Sequence, residues 1–459
     1  MHPRRRCATG PPGFASSERD TPDVLEVQGV WGPHGEIARQ APRWYHLDES
    51  RVNSTADPER AVGGCMPVRY DLFNLPRPFR GPSHVWFGAR AASHITECVQ
   101  ELALHPGPAL LVTDAAVERL GLAAGAAADL TSAGFEVHRY ADIPGEPSVE
   151  VADRAVALAR RISPALLVGV GGGSVLDVAK LSAALVQNPG SVLDYTHLVG
   201  RRFSHPAVPA ILVPTTAGTG AEASRNAVVT AGNRKAFANR HPQLLAAGVI
   251  LDPSLTQSLP PPVTAHTGLD ALSHCMEGTL STDASALTDL TAAQGVALIF
   301  GALRRAYADG GDTEARAQMT LAAYMGGLTL NAGMVLGHSI AYTIANRLHL
   351  PHGLSCALAL PYTLGYNRGA APERLAVLAR AAGTSSPDII AEVERLCRDV
   401  GIPESLQAVG LERDRLPELV DECLELYPRP NNPRPLVRED LLALYISMWE
   451  GRPAHTWAH

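Results

Sequence analysis

The stretch ALLVGVGGGSVLDVAK, residues 165–180, decides the fold. Leu166 to Val170 is a short apolar run closed by glycine, which reads as a strand buried on both faces. Gly171, Gly172 and Gly173 make a turn, and Ser174 opens a helix carrying Val175, Val178 and Ala179. A strand, a glycine turn and a helix start build an anion site, because bare backbone N–H groups and the positive helix end face one point. Glycine suits such a turn because a Cβ would block the approach of a diphosphate. The run is GVGGGS rather than GxGxxG, so taken alone it also fits a plain tight βα turn.

On either side the chain alternates. Apolar runs at 84–87, 109–113, 210–213 and 247–251 read as further strands. ASHITECVQEL, AAGAAADLTSAG and VEVADRAVALARRI between them carry helical periodicity. The expected fold is an α/β domain with a mostly parallel sheet covered by helices. After Leu251-Asp252-Pro253 the pattern turns helical almost to the end, which predicts a second, all-α domain. Two stretches of the α/β part add polar groups at strand ends. AILVPTTAGTGAEAS offers the hydroxyls of Thr215, Thr216 and Thr219 to a sugar or phosphate. PALLVTD ends at Asp114, which suits either a ribose acceptor or the N-cap of the helix AAVERL.

Potential metal ligands stand in the helical part. Asp270 and His274 lie four apart in TGLDALSHCMEG, and a four-residue step returns to the same helix face. His338 and His352 bracket a helix-length stretch in GHSIAYTIANRLHLPHG. One carboxylate and three imidazoles suit Fe(II) or Zn(II). Each piece also has an ordinary reading: a solvated helix face, a core histidine, a turn residue.

GGGSVLDVAK, PTTAGTGAE, GLDALSHCMEG and GHSIAYTIANRLHLPHG, in this order, resemble the iron-containing (group III) alcohol dehydrogenases. The resemblance runs from about Val85 to NPRPLVREDLLALY near the C-terminus. It implies an NAD(P)-binding α/β domain, a helical metal domain and a cleft between them. Asp270, His274, His338 and His352 match the family's metal ligands. Gly171, Gly172, Gly173 and Ser174 match its pyrophosphate loop, followed by Asp177 and Lys180. Thr215, Thr216 and Thr219 match its threonine loop, and Lys235 in NRKAFANRHP looks like the lysine near the phosphates. Many members have a histidine four residues after the third ligand; here Tyr342 stands there. Tyr342 is the candidate proton donor, beside a bound water or the ribose hydroxyls, although a phenol's usual pKa of about 10 makes it a poor relay at neutral pH.

These readings define three segments: a disordered extension at 1–65, an NAD(P)-binding domain at 66–253 and a helical catalytic domain at 254–459. Met66 opens a sequence like the start of a normal family member, so Met1 is a candidate misassigned start. Apolar residues are 46% and charged residues 19%, which is globular composition. The net charge of −7 argues against a nucleic-acid binder. Seven scattered cysteines without a CxxC read as reduced thiols of a cytoplasmic protein. No apolar run approaches a membrane span.

The expected activity is a metal-dependent NAD(P)H oxidoreductase that interconverts a small aldehyde or ketone, neutral or anionic, with its alcohol. Asp114 favours NAD(H) over NADP(H), and a homodimer is expected. Arg225, Arg234, Arg240 and Arg347 are candidates for holding a substrate anion. Two narrower activities stay open by resemblance, that of the maleylacetate reductases and that of the hydroxyacid-oxoacid transhydrogenases. A metal lyase of the dehydroquinate synthase type and a non-catalytic nucleotide-binding regulator also remain.

Overall fold

The computed structural model describes residues 76–238, 240–384 and 388–456. The extension expected at 1–65 lies outside the described residues. The α/β part runs β1 (His84–Phe87), α1 (Ile95–Glu101), β2 (Pro108–Val112), α2 (Ala115–Arg119), α3 (Ala124–Ser132), β3 (Glu136–Tyr140), α4 (Val149–Ile162), β4 (Leu166–Gly171), α5 (Gly173–Leu185), β5 (Ala210–Pro214), β6 (Ala227–Ala231), β7 (Arg234–Ala238) and β8 (Gly248–Leu251). Six strands form one sheet in the order β1-β8-β5-β4-β2-β3, and every pairing in it is parallel. From β2 the chain moves outward to β3 and then crosses back to β4. β2 and β4 therefore flank the point where the winding reverses, and ligands of open α/β sheets bind beyond the strand ends at such a point.

The predicted strands fall where the apolar runs stand, because β4, β5 and β8 are buried along their whole length. Apolar patterning does not reveal β3, whose residues EVHRY lie on the sheet's edge and are mostly part-exposed. It also misses β6 and β7, which pair antiparallel as a separate hairpin. α4 coincides with VEVADRAVALARRI: Ser148 caps it by accepting from the Val151 amide, and Val151, Ala152, Ala155, Val156 and Ala159 face the core.

The helical part comprises α6 (Pro261–Leu280), α7 (Ala286–Ala308), α8 (Thr313–Thr329), α9 (Leu336–Leu348), α10 (His352–Asn367), α11 (Pro372–Ala381), α12 (Ile389–Asp399), α13 (Leu416–Leu426) and α14 (Arg438–Glu450). α6 is the axis of this part and is buried without a break from Gly268 to Leu280. α7 is long and apolar enough to cross a membrane by length and composition. It packs instead on α6 and α8, and its last turns pair Arg304 with Asp399 and Arg305 with Asp312, so it is a core helix. The threonine loop docks on α8 through two glycines. Gly220 has φ +57°, and a Cβ there would lie 2.4 Å from the Cα of Gly327.

Candidate active site

α6, α9 and α10 each deliver polar side chains to one buried point. Asp270 is 2% exposed, and its Oδ1 has no hydrogen-bond partner among the described residues. Three imidazole Nε2 atoms surround that oxygen: His274 at 3.8 Å, His338 at 3.8 Å and His352 at 3.6 Å. The four-residue step on α6 brings His274 to Asp270, and His352 starts α10 directly after Pro351. Tetrahedral ligands about 2.1 Å from a metal stand roughly 3.4 Å apart, close to these distances; the donor atoms of Asp270, His338, His352 and Cys356 all lie within 4.8 Å of one another. The orphaned buried oxygen and the nitrogen-rich donor set fit a divalent transition metal.

Protonation fits as well. Burial pushes the Asp270 pKa up, but the imidazoles, His274 foremost, outweigh it and hold the carboxyl below its ordinary value. Burial, with His274 and His352 beside it, keeps the His338 imidazole neutral, its pKa well below normal. An ionised carboxylate and neutral imidazoles are the forms that bind metal.

Sequence reading missed two members of this cluster. Glu277 lies one turn beyond His274 on the same helix. Its Oε1 is 2.7 Å from His338 Nδ1, and its Oε2 accepts from the amides of Val335 at 3.0 Å and His338 at 3.2 Å. This leaves His338 Nε2 facing Asp270, the orienting role that carboxylates play behind metal-bound histidines. Burial lifts the Glu277 pKa to about 7. The second is Cys356, one turn after His352, with Sγ 3.5 Å from His352 Nε2 and 3.8 Å from His338 Nε2. Cys275, although next to His274 in sequence, packs on Gly295 instead. Spacing offered a signal for both, since Asp270, His274 and Glu277 repeat at helical steps, as do His352 and Cys356.

The cluster forms one side of a cavity of about 620 Å³. Gly173, Ser174, Asp177, Thr219 and Lys235 line it from the sheet side, together with Asp270, His274, His338, His352 and Tyr342. Gly172 is the N-cap of α5, so the glycine turn and helix start stand as expected. A Cβ on Gly171 would lie 2.6 Å from Val175, and one on Gly173 would lie 2.6 Å from the Thr219 side chain. These glycines let α5 and the threonine loop close together. Gly171, Gly172, Thr215 and Thr216 are not part of the lining; the Thr215 amide donates to Gly171 O at 2.9 Å and ties the two loops.

Other candidates have structural partners. Asp177 pairs with Lys180 at 2.9 Å and accepts from the Val228 amide at 3.0 Å. Lys180 in turn donates to the carbonyls of Ala221 and Asn226, so this DxxK ties α5 to the threonine loop and β6. Lys235 is 5% exposed and pairs with Glu146. Asp114 Oδ1 accepts from the amides of Ala116 at 2.8 Å and Val117 at 2.9 Å, which makes it the N-cap of α2 and leaves it outside the cavity lining.

Tyr342, one turn after His338, is 8% exposed and stacks on His352, with 5.5 Å between ring centroids. Burial raises its pKa far above a phenol's ordinary value. Of the four arginines proposed for a substrate anion, Arg240 alone lines the cavity, 3.8 Å from Asp283. Arg347 pairs with Glu418 on the helical part. Arg429, which sequence reading did not single out, lines the cavity too.

Known proteins resemble this chain over both of its parts. Residues 82–253 match the model of the iron-containing alcohol dehydrogenases, and residues 264–449 match that of the Fe-containing alcohol dehydrogenase family's C-terminal region. The chain is 38% identical over 384 residues to long-chain-alcohol dehydrogenase 1 of Geobacillus thermodenitrificans, covering 80% of this chain and 95% of the relative. It is 31% identical to lactaldehyde reductase of Escherichia coli, covering 79% of this chain and 97% of the relative. The crystal structure of sulfoacetaldehyde reductase from Bifidobacterium kashiwanohense in complex with NAD+ superposes with a TM-score of 0.75 at 27% identity, over 82% of this chain and 99% of that one. With both parts of the chain matched in this way, the chain belongs to the iron-containing alcohol dehydrogenases.

Proposed function

We propose that the chain is an NAD(H)-dependent, metal-dependent oxidoreductase that interconverts a small aldehyde or ketone with its alcohol. The observation that carries this reading is the convergence of three imidazole nitrogens on the orphaned Oδ1 of Asp270 at 3.6–3.8 Å, in the cavity that Gly173 and Ser174 at the start of α5 also line. The names of the lactaldehyde and sulfoacetaldehyde reductases among its relatives support small aldehydes, and the NAD+ complex of the latter supports the cofactor. Residues 66–253 form the nucleotide-binding part in this reading, and residues 254–459 the metal-binding part. Among the described residues five cysteines are free, buried thiols, which fits the reducing cytoplasm. A dimer completes the proposal.

Asp270, His274, His338 and His352 would hold the metal, with Fe(II) the first choice and Zn(II) the second. When bound, the metal supplies Lewis-acid polarisation of the substrate oxygen and the nicotinamide supplies the hydride. The chain's own residues do the rest. Glu277 locks His338 with its Nε2 toward Asp270. Ser174 and Gly173 offer hydroxyl and helix-start amide donors to a diphosphate, with Thr219 closing the turn. Asp114 keeps one carboxylate oxygen for a ribose hydroxyl while the other caps α2. Tyr342 walls the reacting space against water. Burial raises its pKa, which counts against the phenol as the proton donor at neutral pH.

The test is anaerobic NADH oxidation by protein stripped of metal and reconstituted with Fe(II) or Zn(II), against small aldehydes and 2-oxoacids. Metal-dependent, stoichiometric oxidation is the expected result. Protein that binds both metal and NAD but oxidises no NADH would overturn this reading in favour of a lyase or a nucleotide-binding regulator.

A further inference from the structure

We propose that Arg429 is the anion-binding residue of the substrate pocket, so that the preferred substrate is a short aldehyde bearing a carboxylate or sulfonate. The inference rests on the reductase reading of this cavity. Three cations line the cavity: Lys235, Arg240 and Arg429. Lys235 is paired with Glu146, and Arg240 has Asp283 at 3.8 Å. Arg429 has no ion-pair partner among the described residues. A guanidinium in a cavity with its fork unused is arranged for a planar or tetrahedral oxyanion.

Its position is held rather than mobile. Arg429 sits between Pro428 and Pro430, which fix φ on either side of it and restrict its own backbone to the extended region. Its Nε donates to Ser339 Oγ at 2.8 Å, and that hydroxyl donates to the Tyr427 carbonyl at 2.6 Å. Ser339 is fully buried and directly follows His338. The charge is therefore anchored to the turn of α9 that carries a metal-cluster histidine. The guanidinium carbon lies 5.9 Å from the centroid of the Tyr342 ring, the same ring that stacks on His352. Arg429 and His352 thus flank the same Tyr342 ring, which places an anion site and the histidine cluster on either side of one aromatic side chain.

Glu277 does not satisfy this charge. Arg429 is close enough to lower the Glu277 pKa, yet both Glu277 oxygens are already engaged by His338 and Val335. The rival role for Arg429 is nevertheless to balance Glu277, and the test separates the two.

Metal-loaded enzyme is assayed with succinate semialdehyde and sulfoacetaldehyde, and with the neutral butanal and methyl 4-oxobutanoate. Wild-type protein should prefer at least one anionic aldehyde over its neutral counterparts by roughly tenfold or more in kcat/KM. The carboxylate and sulfonate arms tell which anion is read. R429Q should lose roughly 10- to 100-fold on the anionic substrate, mostly through KM, with neutral aldehydes within about threefold and metal content unchanged. R429K should recover part of the loss. A preference for the neutral aldehydes, or an equal loss on all four substrates accompanied by lower metal content, would overturn the proposal. If no aldehyde is reduced by any form, the reductase reading fails, and calorimetry with 4-hydroxybutanoate still decides the anion site. Equal affinity of wild-type and R429Q for that ligand would overturn it, and a tenfold difference would support it.

Discussion

On the helical wall of the cavity the candidate groups are side chains, whereas on the sheet wall the proposed cofactor contacts begin with the backbone of the α5 start. In the proposed reading Asp270, His274, His338 and His352 would act through a carboxylate and three rings, His338 being oriented by Glu277. The start of α5 would act through helix-start amides, and through how closely α5, the glycine turn and the threonine loop approach. The two walls should fail differently. Loss of one donor on the helical wall removes a ligand outright. A change on the sheet wall shifts geometry by fractions of an ångström and weakens binding gradually.

The largest expected effect is that of His274→Ala. Metal content should fall and turnover should drop by roughly 10³-fold or more, because polarisation by the metal is worth several kcal/mol. Elemental analysis and the NADH assay read both, while NAD binding should persist. If turnover survives without metal, the helical wall is not the catalytic one.

Glu277→Gln is the next step down. It keeps the size of the side chain but weakens its hold on His338, and a supporting residue of this kind typically contributes about 10- to 100-fold in metal affinity. Competition against a chelator measures it. An unchanged affinity would mean that packing alone orients His338.

Gly173→Ala probes the opposite wall. The new Cβ would press on Thr219, and the resulting strain of one to a few kcal/mol should weaken NADH binding by about tenfold with metal content intact. Fluorescence titration of NADH decides it; unaltered affinity would show that the turn has slack.

The smallest effect concerns stability behind the sheet wall. Glu222 is 2% exposed, and burial raises its pKa to about 7 from an ordinary 4.5. Below about pH 4.5 both folded and unfolded chains hold the proton. Between about 4.5 and 7 the unfolded chain releases it while the fold retains it, so stability falls as pH rises through this window. Glu222→Gln removes that loss. Its Tm should exceed wild type by roughly a few degrees at pH 8 and converge with it toward pH 4.5. A Tm difference that does not vary with pH would place the Glu222 titration elsewhere.

Much of this was legible in the chain because period and burial leave marks in it. β4, β5 and β8 are buried on both faces, so their residues are apolar without alternation. Asp270 and His274 share a helix face by arithmetic, and Glu277 and Cys356 obey the same arithmetic although their roles were not drawn from it. β3, β6 and β7 were not legible: an edge strand and an isolated hairpin mix polar and apolar residues for reasons of local exposure. Asp114 carried two readings, and its geometry is that of a cap. Arg429 carried none, because its anchor, Ser339, lies 90 residues away.

Local order thus came from the sequence: which segments are strands, where the glycine turn stands, and which candidate ligands share a turn of α6. Packing alone brought His338 and His352 to the oxygen of Asp270, set Glu277 behind one of them, and left the Arg429 fork free beside the cavity. The physical reason is range. A helix or strand repeats over a few residues and so writes its period into neighbouring side chains, whereas the meeting of α6, α9, α10 and the loop after α13 depends on how whole elements fill space.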